Sequence, residues 1–87
     1  MELKGKTSTG FEYKITEERA NNYELLEVLE ELDVSPAALV RAVKMLLGEK
    51  QAKALKDHVR TEDGIVPADR IGEELKEIFE ADGPVKN

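Results

Sequence analysis

Apolar and polar residues alternate with two different periods along the chain. Phe11, Tyr13 and Ile15 face one way and Glu12 and Lys14 the other, the two-residue repeat of a strand with one buried side. Thr7, Ser8, Thr9 and Gly10 supply a turn before it and Leu3 to Lys6 a partner strand, so the pattern predicts an N-terminal β-hairpin. A lone hairpin is marginal in water; this one has to lie on helices or add to a sheet in a neighbour. Thr16 to Ala20 suits either a turn or a first helical turn. After it the repeat becomes helical. Asn21 with Glu24 reads as a capping-box-like start, followed by Leu25, Leu26, Val28, Leu29 and Leu32 on one side and Glu24, Glu27, Glu30 and Glu31 on the other.

The densest apolar stretch follows Ser35, which is placed to cap a helix with Pro36 at its first position, where the missing N–H costs nothing. Set at about 100° per residue, Leu39, Val40, Ala42, Val43, Met45, Leu46 and Leu47 cover an arc of roughly 220°, against a little over ~100° for an ordinary surface helix. Only Arg41 and Lys44 form a polar wedge. This helix should therefore be central and covered on at least two sides, ending at Gly48. A third helix, Glu49 to Arg60, has a narrow apolar stripe of Ala52, Leu55 and Val59, with Lys50, Lys53, Lys56 and Arg60 on the wet side. Thr61 to Gly64 breaks it. Pro67 opens a fourth helix with Ala68, Ile71, Leu75, Ile78 and Phe79 inward and Glu73, Glu77 and Glu80 outward. The fold class is mainly α (α+β): a hairpin followed by about four amphipathic helices packed around a central helix at 36–47. One domain is expected over residues 1–81, with a disordered tail over 82–87.

Composition adds two constraints. With 87 residues and no cysteine, the chain has neither a disulfide nor a thiolate metal site to support a small core, and at this size only about 60% of the unfolded surface is buried on folding. Self-association is the remaining device, and a homo-oligomer is expected. The net charge of −6 is also unevenly spread: −5 over residues 1–35, +4 over 36–60 and −5 over 61–87. The segments balance inside one fold, or basic and acidic faces meet between subunits or on a partner. No apolar run suggests a signal peptide or a membrane span, so a cytoplasmic location is expected.

Little in the sequence looks like reaction chemistry. Helix, Asp-Gly loop and helix around Gly64 imitate an EF-hand, but that register puts Val59 and Arg70 where calcium needs carboxylates. His58, the only histidine, has no nucleophile or metal partner to nominate and reads as a boundary residue packing its ring on a neighbour. Carboxylates fall at helical spacing on solvated faces rather than in acid–base pairs, and Gly5, Gly10 and Gly48 make no phosphate loop. Neither an enzyme nor a bound cofactor or metal is expected. The helices meeting at Gly48 imitate a helix-turn-helix, but acidic flanks would repel phosphates, leaving nucleic-acid binding through the third helix as the alternative reading.

One order of features carries a resemblance. An acidic amphipathic helix precedes a Pro-started apolar helix ending in Leu46-Leu47-Gly48-Glu49-Lys50-Gln51. A Lys-rich helix then leads to Glu62-Asp63-Gly64-Ile65-Val66-Pro67 and a closing helix through Ile78-Phe79-Glu80. Over roughly residues 11–80 this resembles the tail assembly chaperones of long-tailed phages and prophages, particularly those of Gram-positive hosts. The resemblance implies a non-enzymatic factor that coats the tape measure protein, keeps it soluble, helps recruit the tail tube protein and is absent from the finished tail. It also implies a longer form made by ribosomal frameshifting in some relatives. Val85-Lys86-Asn87 is compatible with a slippery GTA-AAA-AAC, which reading the gene would test. No site residue transfers from the family. From the residues themselves, Val40, Met45 and Leu47 at the rims of the central arc are expected to offer apolar surface, with Arg41, Lys44, Lys53 and Lys56 selecting an acidic client or an acidic neighbouring subunit. Failing that, the chain is a small adaptor or regulatory domain.

Overall fold

A computed structural model describes residues 2–32 and 34–82. In chain order it contains β1 (Glu2–Lys6), β2 (Glu12–Thr16), α1 (Glu17–Ala20), α2 (Tyr23–Glu31), α3 (Ala38–Val59) and α4 (Ala68–Asp82). This is the expected mainly helical architecture behind an N-terminal hairpin. Asp82 closes α4, and the rest of the expected tail, 83–87, lies outside the described residues.

β1 and β2 pair antiparallel with Leu3 opposite Ile15 and Lys6 opposite Glu12. Phe11, Tyr13 and Ile15 are buried while Glu12 and Lys14 are exposed, as the period-two pattern requires. Residues 16–20 resolve into a one-turn helix, α1, capped by the Thr16 hydroxyl accepting from the Arg19 N–H at 3.1 Å. Asn21 is then used up in closing α1, its N–H bonding to the Glu17 carbonyl. The cap of α2 accordingly falls one residue later than expected: Asn22, not Asn21, accepts from the Glu24 N–H at 3.0 Å.

Ser35 does not cap α3 with its side chain. Ala37 is the flanking residue, in helical conformation, and makes no side-chain cap. The chain enters instead through a tight turn in which Ala38, Leu39 and Val40 donate to the carbonyls of Ser35, Pro36 and Ala37. Those short-span bonds take the first free N–H groups and leave the hydroxyl no donor to serve.

The helix expected to end at Gly48 and the one expected to begin at Glu49 are the two halves of α3. Gly48 sits between them at φ 81°, ψ 165°, a conformation essentially closed to residues with a Cβ. The carbonyls freed at the break find side chains: Arg19 Nη1 donates to Met45 O at 3.0 Å, and Gln51 Nε2 to Leu47 O at 3.0 Å. A cation on the last turn also suits the negative end of the helix dipole.

The fully buried Leu25, Leu46, Leu55, Leu75 and Ile78 come from α2, both halves of α3 and α4, so all of them share one core. α3 packs against α1, α2, α4 and β2. Its N-terminal half, with Ala38, Ala42, Val43, Leu46 and Leu47 all buried, is covered as its wide arc demanded. In α4, Ile71, Leu75 and Ile78 point inward as expected, whereas Ala68, at the solvent end of the helix, is exposed. No described helix is long and apolar enough to cross a membrane.

Candidate functional site

The bend at Gly48 sets the two halves of α3 at an angle, and the chain entering α4 completes the walls of a hollow between them. Leu39, Val40 and Val43 come from the first half, Ala52 from the second, and Val66, Ala68 and Ile71 from the approach to α4. The groove has a volume of about 420 Å³. Its floor is apolar and its polar lining is Lys44, Glu49, Lys53 and Lys56, three cations to one carboxylate. Val40 remains 58% exposed at its edge, one of the few large apolar side chains left open to water. Among the described residues, none of the three lysines has an ion-pair partner; the ion pairs present use Lys6, Lys14, Arg41 and Arg60.

Of the residues singled out from sequence, the fold brings Val40, Lys44, Lys53 and Lys56 to this groove and leaves three elsewhere. Arg41 turns to the other side of α3 and pairs with Glu31 at 2.7 Å. Met45 is half-buried against the core. Leu47 is 4% exposed and offers no surface, a correction to the expected apolar rim. The neighbours of α3 cover more of its arc than two sides, and Leu47 lies under them. Leu39, Val43, Glu49, Ala52, Val66, Ala68 and Ile71 are the lining residues that sequence reasoning did not assign to a site. A second hollow, between α2 and α4, is lined by Leu29, Leu32, Leu75 and Phe79 with Lys76 and Glu80, and has no charge bias.

Among the described residues, a cluster of chemistry-bearing side chains joins the hairpin loop to α4 and α3. Glu74, 3% exposed, accepts from the Thr7 hydroxyl at 2.7 Å and from the Thr9 hydroxyl at 2.6 Å. Thr9 Oγ1 also lies 3.1 Å from His58 Nε2, and the His58 ring tilts against Phe11 with centroids 5.5 Å apart. Each hydroxyl has one proton and gives it to Glu74, so the imidazole must donate to Thr9 rather than take a proton from it. That proton order makes no activated nucleophile. The cluster is a staple: Phe11 N–H bonds to Thr7 Oγ1 at 3.2 Å, and next door Glu77 accepts from the backbone N–H and hydroxyl of Ser8. Glu77, expected on the wet face, therefore holds the loop as well.

The loop after α3 is closed from within. Gly64 N–H donates to Thr61 O, Ile65 N–H to the Thr61 hydroxyl, and Arg60 reaches both Asp57 and Gly64 O. Among the described residues, no three His, Asp or Glu side chains converge as a metal site. Compared with known proteins, the chain matches no family model, no curated protein and no solved structure.

Proposed function

We propose that this chain is a non-enzymatic binding module that receives an amphipathic helix in the groove between the halves of α3 and the start of α4. In the reading favoured by the sequence resemblance, it is a phage tail assembly chaperone whose client is the tape measure protein, with the tail tube protein recruited to the same assembly. One observation carries the proposal: an open apolar floor edged by three lysines that have no ion-pair partner among the described residues. Helix-in-groove docking uses an apolar stripe for affinity, and the lysines add selection for a client with carboxylates beside that stripe.

Co-expression with an otherwise insoluble tape measure fragment tests this directly. The expected result is soluble client in the presence of the wild-type chain and aggregated client with Val40→Asp, which puts a charge on the apolar edge while leaving the core untouched. Equal rescue by Val40→Asp, or no rescue by either, overturns the proposal. A salt-dependent gel shift with DNA or RNA that is lost in Lys53→Glu would support the alternative, since Lys50, Lys53 and Lys56 are all exposed on one helix.

A further inference from the structure

We propose that β1 is a self-association edge and that its occupant is β1 of a second copy of this chain, giving one four-stranded antiparallel sheet across a two-fold axis. This stands apart from the helix-binding groove and from the basic-to-acidic contact suggested by the charge distribution.

The direction of the backbone groups follows from one side chain. Gln51 holds Lys14 on both sides of its peptide: Lys14 N–H donates to Gln51 Oε1 at 2.7 Å and Gln51 Nε2 donates to Lys14 O at 2.6 Å. In an antiparallel ladder a residue exchanges both bonds with the residue opposite or neither. Lys14 and Lys4, which are opposite, therefore exchange none. The alternation agrees at the loop end, where Thr7 N–H does bond to Phe11 O. It follows that the N–H and C=O groups of Glu2, Lys4 and Lys6 point away from β2.

The two edges of the sheet are thus treated differently. Gln51 fills the outer edge of β2 with its amide, in the manner of a third strand. No described residue does the same for β1, which leaves Glu2, Lys4 and Lys6 with open backbone groups and exposed side chains. The helices also lie under β2, which packs on α1 and α3, whereas the main neighbour of β1 is β2. β1 stands at the margin of the body, where another strand has room to approach.

Charged side chains on an edge strand normally deter partners, so an occupant has to carry the complementary pattern. A second copy does. Antiparallel two-fold pairing centred on Leu3 sets Glu2 of each copy opposite Lys4 of the other, whereas pairing centred on Lys4 would set the two Lys4 side chains against each other and is disfavoured. Opposite charges directly across a strand pair are favourable. The Leu3-centred pairing brings the half-buried Leu3 against Leu3 of the other chain on the inner face. It also turns a two-stranded hairpin into a sheet above the minimum for independent stability.

One strand per copy buries less than the ~1,000 Å² of a stable interface, so the dimer is concentration-dependent and sedimentation equilibrium is run up to about 1 mM protein at low salt. The expected result is a reversible monomer–dimer equilibrium that weakens with salt. Lys4→Pro removes an outward N–H that the hairpin does not use and is compatible with an edge strand. It should raise the dimer Kd roughly tenfold or more while leaving the helical circular dichroism intact. Glu2→Lys should weaken the dimer with no backbone change, and it decides the matter if the proline variant fails to fold. The Glu2 and Lys4 amides should gain hydrogen-exchange protection as concentration rises. A monomer throughout, or a dimer indifferent to Glu2→Lys, overturns the proposal. So does a dimer lost in Val40→Asp and kept in Lys4→Pro, which would place self-association in the groove instead.

Discussion

Removing the carboxylate of Glu74 is the sharpest test of how this fold is held together. The side chain is 3% exposed and its two oxygens accept the hydroxyls of Thr7 and Thr9, which lie 67 and 65 residues away in the chain. Hydrogen bonds to a charged group contribute about 1.5–3 kcal/mol each. In Glu74→Ala two of them vanish, and the Thr7 hydroxyl, itself 5% exposed, keeps only the Phe11 N–H and the neutral Thr9 hydroxyl, 3.1 Å away, as partners. Against that, the variant no longer holds a carboxylate away from water, which returns a large part of the loss. The net expectation is destabilisation by about 3 kcal/mol, out of roughly 4–13 kcal/mol for a domain of this length. At ~4–8 °C per kcal/mol that is a fall in Tm of roughly 12–24 °C. Urea unfolding followed by circular dichroism measures it, with Glu73→Ala, one residue away but exposed, as the control expected within ~0.5 kcal/mol. A double-mutant cycle with Thr7→Val should return a coupling of about 1 kcal/mol or more. If Glu74→Ala unfolds within 0.5 kcal/mol of wild type (about the surface-mutation range), the hairpin is not anchored through this residue and the reasoning fails.

Three further outcomes follow from the same structure. Leu46→Ala, fully buried in the central half of α3, should cost about 2–5 kcal/mol, while Val40→Ala at the open groove edge should stay within ~0.5 kcal/mol, both read from urea midpoints. Gly48→Ala should lower stability by about 1–3 kcal/mol on backbone grounds, since the nearest atom to its new methyl, on Arg19, is at an ordinary 3.5 Å. Gly72→Ala, inside α4 with open space around it, should instead raise stability by about 0.4–1 kcal/mol, so thermal melts of the pair should move in opposite directions. Gln51→Glu keeps an acceptor for the Lys14 N–H but loses the donor to Lys14 O and Leu47 O. It should cost about 1–3 kcal/mol and speed hydrogen exchange around Gly48.

What could be read from the sequence was whatever depends on neighbours in the chain. The strand period of Phe11, Tyr13 and Ile15, the wide arc before Gly48 and the narrow stripe of Ala52, Leu55 and Val59 each report burial through local spacing, and each came out buried except at its margins, where Leu39, Met45 and Val59 are half-buried and Val40 is exposed. Caps were less legible because two residues compete for each one. Asn21 and Asn22 are both good caps, and only the one-turn helix before them decides between the two. Glu74 had a signal that went unused: it lies three residues after Ile71 and four before Ile78, on the apolar stripe and not beside it. Its donors, Thr7 and Thr9, are polar loop residues that no periodicity connects to α4. The groove divides the same way. Val40, Lys44, Lys53 and Lys56 stood out as an apolar rim beside cations, but Val66 and Ile71 join them only because the chain returns after the loop at Gly64.

The staple between the hairpin loop and α4 means that a segment synthesised earlier is fastened by one synthesised later. A ribosome adding ~5–20 residues per second has the β-strands in hand several seconds before Glu74 and Glu77 exist to hold them. Until then the loop hydroxyls have only local partners and water to satisfy them. A nascent chain in which α4 has not yet been made would therefore present a hairpin with its loop unfastened, and the arrival of α4 would lock it in a single late event.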